Sequence, residues 1–366
     1  METGIKVNSE SRGGKKGKDN LKGKNGVLYK KIRKILSLHT LADESWIKAV
    51  SAQYFLIGIA DIFGFTAEKN LDYATVLEES FSSIKLSYKG GFKIEEKNIL
   101  IIPDENVKLL KCMQEEDKRD GYYVKTRLRA SLVNNPELIY KNYQYGLMVR
   151  ISSACNNHVF NAVQAVALDE LFRREAIDPY GGWYHYRLPW ITARILISLK
   201  SANFQDRNDK EYVEKIIIEA LKSLVDRIDS KGYWRSGAGE WVSKWESTGL
   251  CLEALYVYDQ IDEYKDVVDG VVNYVLSEDV RKEWLGKPDF SDEQNTNETL
   301  ASVILASVIY RVIYKYNLPY TDVGKDIENF FLECLEIVES GENNVVRQYC
   351  TIPEILYYIA IAMKGD

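Results

Sequence analysis

The feature that most constrains this chain is a repeat of about fifty residues. Tryptophans recur 51 and 50 residues apart, at Trp183, Trp234 and Trp284. A threonine ahead of an apolar segment recurs 56, 51 and 52 residues apart, at Thr192, Thr248, Thr299 and Thr351. A period of this length is typical of a repeated supersecondary unit. Each unit is predicted to be a loop rich in glycine and aromatic residues, followed by two helices.

The two helices of a unit have different patterns. The first follows the threonine and is apolar along most of its length, as in Ala193–Leu199. The second has apolar residues three, four and seven positions apart, as between Val213 and Ile228, which indicates one buried face. One helical hairpin cannot bury its apolar face alone, so successive hairpins are expected to stack. Each threonine is predicted to be an N-cap, and each tryptophan to fill the gap between hairpins or to line a ligand cavity.

The loop motifs resemble a known family. Gly-Gly-Trp183 with Pro-Trp190-Ile-Thr192, and Gly232-Tyr-Trp234 with Trp245-x-x-Thr248, are similar to the Gly-x-Trp repeats of squalene and terpenoid cyclases and of the related protein prenyltransferase β subunits. The similarity covers about residues 120 to 366. It implies an all-α fold, an α/α toroid, in which an inner ring of helices lies inside an outer ring and surrounds a central cavity.

The catalytic motifs of those enzymes are absent from the sequence. The chain contains no Asp-Asp dipeptide, so neither the acid motif of the class II cyclases nor the metal-binding motif of the class I enzymes is present. No histidine follows His185, although prenyltransferases use a late histidine to hold zinc. The resemblance therefore predicts the fold without these chemistries, and the sequence predicts no metal or other cofactor.

Polar residues of the repeat loops are the candidate site, because these loops gather at one mouth of a toroid. Carboxylates in differing environments can divide into a general acid and a general base, and a histidine can exchange a proton near neutral pH. The candidate catalytic residues are His185, Glu240, Glu246, Asp292 and Glu298. The candidate ligand-binding residues are Trp183, Tyr184, Arg187, Trp190, Arg235, Trp241, Trp245 and Arg347. The alternative for each carboxylate is a solvated loop charge or a favourable charge at a helix N-terminus.

The rest of the chain is predicted to contain two further regions. Residues 1–25 are a basic, disordered tail that makes at most weak contacts with anionic partners. Residues 26–118 form a helical extension to the toroid of residues 119–366. Within it, the segment from Gly90 to Pro103 is either a small β-hairpin or a decayed repeat loop, and its β-branched residues favour the hairpin.

Composition limits the class of protein. The net charge of −6 does not favour nucleic-acid binding, and no apolar run is long enough to span a bilayer. The five cysteines are widely spaced without a Cys-x-x-Cys motif, which indicates reduced thiols and a cytoplasmic protein. Three functions stay open: an enzyme or binder of a hydrophobic or isoprenoid ligand, an (α/α)6 carbohydrate-active hydrolase or lyase, and a non-catalytic protein that binds a protein partner.

Overall fold

The computed structural model describes the C-terminal half of the chain almost continuously and only parts of the N-terminal half. The described residues are 27–28, 30–32, 34–35, 59, 62, 93–95, 99–101, 146, 149–150, 153, 164–165, 167–169, 171–172, 177, 181–183, 188–202, 204, 209–235, 243–340 and 351–364. The predicted tail and six candidate site residues lie outside them. These six are Tyr184, His185, Arg187, Glu240, Trp241 and Arg347.

Helices dominate the described residues, which confirms the all-α prediction for that part of the chain. The helices are α1 (Pro189–Leu199), α2 (Lys210–Val225), α3 (Lys244–Val257), α4 (Lys265–Leu276), α5 (Glu278–Trp284), α6 (Glu293–Lys315), α7 (Thr321–Ser340) and α8 (Thr351–Lys364). Two short strands, β1 (Lys93–Glu95) and β2 (Ile99–Ile101), pair antiparallel with Ile94 opposite Leu100. They fall in the segment whose sequence favours a hairpin.

Four helices are buried on nearly every side and pack against one another in chain order. Helix α3 contacts both α1 and α6, and α6 contacts α8. In α3 every residue from Ser247 to Tyr256 is buried. A β-carbon at Gly249 would lie 2.8 Å from the backbone nitrogen of Leu305, so only glycine permits the close approach of α3 and α6. These four are the inner helices.

The remaining long helices bury a single face each and lie outside the inner helices. In α2 the buried residues follow a three-and-four spacing from Val213 to Leu224, and α2 packs on α1 and α3. In α7 they run from Val323 to Val338, and α7 packs on α6 and α8. Polar residues occupy the opposite faces, as expected for helices that form the outer layer of a two-layer structure.

The three repeated tryptophans are buried and hydrogen-bonded in the same way. Each is almost completely buried, and each indole Nε1 donates to a backbone carbonyl near the end of the preceding helical segment. Trp183 donates to Leu171 at 2.7 Å, Trp234 to Leu224 at 2.6 Å and Trp284 to Val275 at 2.9 Å. They therefore fill space between helices, and none of the three is exposed to a ligand.

Thr192, Thr248 and Thr299 do not cap their helices, contrary to the sequence-based prediction, whereas the residues before Thr351 lie outside the described part of the chain. Ser243 and Asp292 cap α3 and α6 with their side chains, and Leu188 precedes α1 without a side-chain cap. The threonines lie one or two turns inside those helices. Thr192 Oγ1 accepts the backbone N–H of Trp183 at 3.2 Å, and Thr248 Oγ1 accepts that of Trp234 at 3.1 Å.

The third repeat uses its threonine in the same way as the first two. Thr299 Oγ1 accepts the backbone N–H of Asp289 at 3.0 Å. The hydroxyls of Thr192, Thr248 and Thr299 therefore hydrogen-bond each loop to the side of its inner helix. This role differs from the predicted N-cap.

Candidate functional site

Charged side chains from three inner helices meet at one buried point. Arg194 of α1 places Nη2 2.7 Å from Glu246 Oε1 of α3 and Nη1 2.7 Å from Glu354 Oε1 of α8. The three side chains are 9–13% exposed. Arginine is suited to this position because its planar fork presents separate nitrogens to two carboxylates. We call these three residues the triad.

A second buried ion pair continues from the triad along the inner helices. Arg311 of α6 bonds to Glu253 of α3, and its guanidinium stacks 4.7 Å from the ring centre of Tyr256. Ser307, one turn before Arg311, donates to the backbone oxygen of Tyr358 in α8 at 2.8 Å. Both charged side chains of this pair are less than a tenth exposed.

Arg150 joins the same set of charges from a part of the chain that precedes the repeats. It donates to the hydroxyl of Tyr357 in α8, and its guanidinium lies 4.8 Å from the centre of that ring. Burial lowers the pKa of Arg150 to about 10, while Tyr358 and Glu253 act in the opposite direction. The cluster therefore contains three arginines and three glutamates, contributed by α1, α3, α6, α8 and residue 150.

The pKa of Glu354 is strongly perturbed by its position in the cluster. Burial raises its pKa to about 7, the Arg194 guanidinium opposes this, and the neighbouring charge of Glu246 raises the pKa further. Tyr358 lies one turn along the same helix, and burial raises the pKa of its phenol well above the usual value. A carboxyl group with a pKa near 7 can hold or release a proton at physiological pH.

The structure brings only one of the described sequence candidates for catalysis into this cluster. Glu246 belongs to the triad, where it accepts a hydrogen bond from Arg194. Asp292 is exposed and caps α6 by accepting the backbone N–H of Asn295 at 2.8 Å. Glu298 is exposed within the second turn of α6. The loop assignment of Glu246 and Glu298 was wrong, because α3 begins at Lys244 and α6 at Glu293.

The candidate ligand-binding residues fall into two groups. Trp183 is fully buried and bonded to Leu171, and Arg235 is 72% exposed and paired with Asp229. Their backbones bond to the helices that carry the triad: the N–H of Trp183 donates to Thr192 of α1, and the carbonyl of Arg235 accepts from Ser247 of α3. Trp190 and Trp245 lie in the first turns of α1 and α3. Trp190 precedes Arg194 by four residues, and Trp245 directly precedes Glu246. Trp245 stacks under the Lys244 ammonium at 4.2 Å, and Trp190 is 5% exposed.

Sequence reasoning missed Arg194, Glu253, Arg311 and Glu354, although the sequence carries a signal for them. Each is a charge within an otherwise apolar inner helix, as in Ile352-Pro-Glu354-Ile-Leu. A charge enclosed by apolar residues must find a partner of opposite sign, since an unpaired buried charge is very costly. The partner itself is not readable from the sequence, because it depends on which inner helices become neighbours.

The described residues also contain a groove apart from the charged cluster. This groove of about 730 Å³ lies between α5 and α7, with Arg281 and Lys282 on one wall and Asp326 and Glu333 on the other. No residue of the charged cluster lines it. The described part of the chain contains no group of three His, Cys, Asp or Glu side chains that could hold a metal ion. None of its helices has the length and apolarity needed to cross a membrane.

Comparison with protein-family models, with curated proteins and with solved structures gives no match for this chain.

Proposed function

We propose that this chain is an α/α toroid enzyme that cleaves a polar, carbohydrate-like substrate at the N-terminal ends of its inner helices, with Glu354 and Glu246 as an acid–base pair. The observation that carries the proposal is the contact of both carboxylates with one guanidinium, that of Arg194. The toroid arrangement and the chemistry are supported by separate arguments.

The toroid is supported by the contact between the first and the last inner helix. Neighbouring helices pack 8–10 Å apart, so four in a straight row would place α1 and α8 roughly 24–30 Å apart. Arg194 of α1 nevertheless touches Glu354 of α8. The row must therefore curve back on itself, as it does in a ring and does not in an open solenoid.

Residues that precede the repeats support the same curvature. Gly146 lies against Ile195 and Ser198 of α1, since a β-carbon there would be 3.5–3.6 Å from atoms of those residues. Arg150, four residues later, bonds to Tyr357 of α8. One helical turn therefore contacts both ends of the row, and we propose that it supplies a further inner helix of the ring.

The proposed chemistry follows from the different environments of the two carboxylates. Glycoside cleavage needs one carboxylic acid that protonates the leaving oxygen and one carboxylate that activates water or attacks the sugar. Glu354, with its pKa raised to about 7, carries a proton in about half of the molecules at pH 7 and donates it as the C–O bond breaks. Glu246 takes the proton of the attacking water. Trp190 and Trp245, in the first turns of the same helices, supply aromatic surface for a sugar ring.

The charged cluster argues against a hydrophobic or isoprenoid ligand. The charged side chains of Arg194, Glu246 and Glu354 would lose their remaining exposure to water beside an apolar chain without gaining a hydrogen bond, which is unfavourable. A non-catalytic interaction protein is the second candidate, and one observation favours it. The carboxylates of the triad already have Arg194 as a partner, as they would in an ion cluster that serves only to fix the packing of the helices.

An activity screen with matched variants distinguishes the two candidates. The full-length chain is incubated with neutral and acidic polysaccharides, and released reducing ends and unsaturated products are measured. Glu354→Gln and Glu246→Gln should each lower the rate at least about 100-fold, while the protein stays folded by circular dichroism. Glu278→Gln, an exposed residue of α5 paired with Lys282, is the control and should retain the wild-type rate.

Two results would reject the enzymatic proposal. One is the absence of cleavage on every polysaccharide. The other is cleavage that survives either triad substitution. A loss of stability in both triad variants without any activity in the wild type would favour the interaction protein.

A further inference from the structure

The indole of Trp190 differs from those of the three repeated tryptophans. Trp183, Trp234 and Trp284 each donate Nε1–H to a backbone carbonyl. Trp190 is 5% exposed, and among the described residues its buried Nε1 has no hydrogen-bond acceptor. A buried donor without an acceptor is rare in proteins, because its hydration is lost without compensation. In the repeated tryptophans a backbone carbonyl accepts the indole N–H, and Trp190 has no such acceptor among the described residues.

The position of Trp190 connects it to the triad. It precedes Arg194 by four residues in α1, and residues at this spacing lie one above the other on the same helix face. Arg194 in turn forms an ion pair with Glu354, whose buried Oε1 lies 2.7 Å from the guanidinium and has a further lone pair for a donor. An unused donor and an acceptor with free capacity therefore lie at the same end of the inner helices.

We infer that Trp190 is a ligand-binding residue whose indole N–H donates to a hydroxyl oxygen of the substrate, while the same hydroxyl donates to Glu354. This rests on the proposed function and defines its substrate further. A hydroxyl group both accepts and donates, so it satisfies both groups at once. An anionic group would lie beside the Glu246 carboxylate, whose charge Arg194 already balances, and would gain less there than a neutral hydroxyl does. The site is therefore specific for a neutral, polyhydroxylated substrate and disfavours uronic acids at this position.

The first test compares two tryptophan substitutions in the absence of ligand. Trp234→Phe removes a donor that bonds to a carbonyl, so its melting temperature should fall by at least about 3 °C. Trp190→Phe removes a donor without an acceptor, so its melting temperature should stay within about 1 °C of the wild type or rise. An equal fall in both variants would mean that a structural water satisfies Trp190, and the inference would be wrong.

The second test measures binding by calorimetry with neutral oligosaccharides of glucose and xylose and with oligogalacturonate as the acidic counterpart. Neutral oligosaccharides should bind the wild type, and Trp190→Phe should weaken this binding about tenfold. Trp234→Phe is the control and should leave the affinity unchanged. Unchanged affinity in Trp190→Phe, tighter binding of oligogalacturonate, or no binding of any neutral oligosaccharide would each overturn the inference.

Failure of this inference is distinguishable from failure of the proposed function. Oligosaccharides that bind through Trp190 without being cleaved would leave the inference intact and reject the enzymatic proposal. Cleavage that depends on Glu354 and Glu246, with an affinity unaffected by Trp190→Phe, would support the enzymatic proposal and reject the role of Trp190.

Discussion

Arg194 in the first inner helix lies 2.7 Å from Glu354 in the last one. The two residues are separated by three complete repeats of the sequence, and no local interaction brings them together. Their contact, with Glu246 as the third member, places a buried charge cluster where the inner helices converge. A buried ion pair is weak evidence for stability, since apolar residues of similar volume are often as stable. This is why we propose that the cluster has a role beyond stability.

The pKa of Glu354 predicts a pH dependence of stability. The folded-state pKa of about 7 lies above the ordinary value of 4.5, so the folded state binds a proton more tightly than the unfolded state. This contribution is fully present below about pH 4.5 and is lost as the pH rises through about 7. Its size is roughly 3 kcal/mol.

Urea denaturation between about pH 4.5 and pH 8 measures this contribution. The free energy of unfolding of the wild type, relative to that of Glu354→Gln, should fall over this range and level off above it. A difference between the two proteins that does not change with pH would contradict the assigned environment of Glu354.

Gly182 is predicted to be essential for the loop before α1. Its φ is +88°, and a β-carbon would lie 2.7 Å from Thr192 Oγ1, the atom that accepts the Trp183 N–H. Gly182→Ala should lower the free energy of unfolding by about 2 kcal/mol or more. Gly270→Ala is the matched control, because Gly270 is inside α4 with no atom within 4 Å of the added carbon.

Thermal denaturation of both glycine variants tests this assignment. Gly270→Ala should stabilise the protein by roughly 0.5–1 kcal/mol, as alanine does within a helix. The assignment is wrong if the two substitutions have the same sign.

Thr248 is predicted to stabilise the fold through its hydroxyl and not through capping. Thr248→Val keeps the shape of the side chain but leaves the buried N–H of Trp234 without its acceptor. The free energy of unfolding should fall by about 1–3 kcal/mol. Thr321→Val, at an exposed position that begins α7, should change it by less than about 0.5 kcal/mol. Chemical denaturation measures both, and equal effects would contradict the role of Thr248.

The sequence predicted the repeated elements because their signals are local. The contrast between uniformly apolar and one-faced helices depends on residues a few positions apart, and the period of Trp183, Trp234 and Trp284 is a repeat of the same short motif. The role of Thr192 and Thr248 was misassigned, since a threonine near a helix start reads equally well as a cap and as an acceptor for the preceding loop. Only the helix bounds distinguish these roles.

The charged cluster was not predictable to the same extent. Glu246 was predicted as a catalytic residue from its place in a repeat loop. The residues that complete the triad, Arg194 and Glu354, lie inside the apolar helices α1 and α8 and were not predicted. Arg194 and Glu354 come together only when the inner helices curve, which is a property of how the repeats pack and not of any single repeat. A single charged residue in an apolar helix indicates that a residue of opposite charge lies nearby in the fold, but it does not indicate which residue that is.

A double-mutant cycle between Arg194 and Glu354 tests the central claim most directly. The free energy of unfolding is measured at about pH 8 for the wild type, Arg194→Met, Glu354→Gln and the double variant. If the first and last inner helices meet through these side chains, the two substitutions should be non-additive by at least about 1 kcal/mol. Additive effects, within roughly 0.3 kcal/mol, would mean that the residues do not interact, and would contradict both the curved arrangement of the inner helices and the triad.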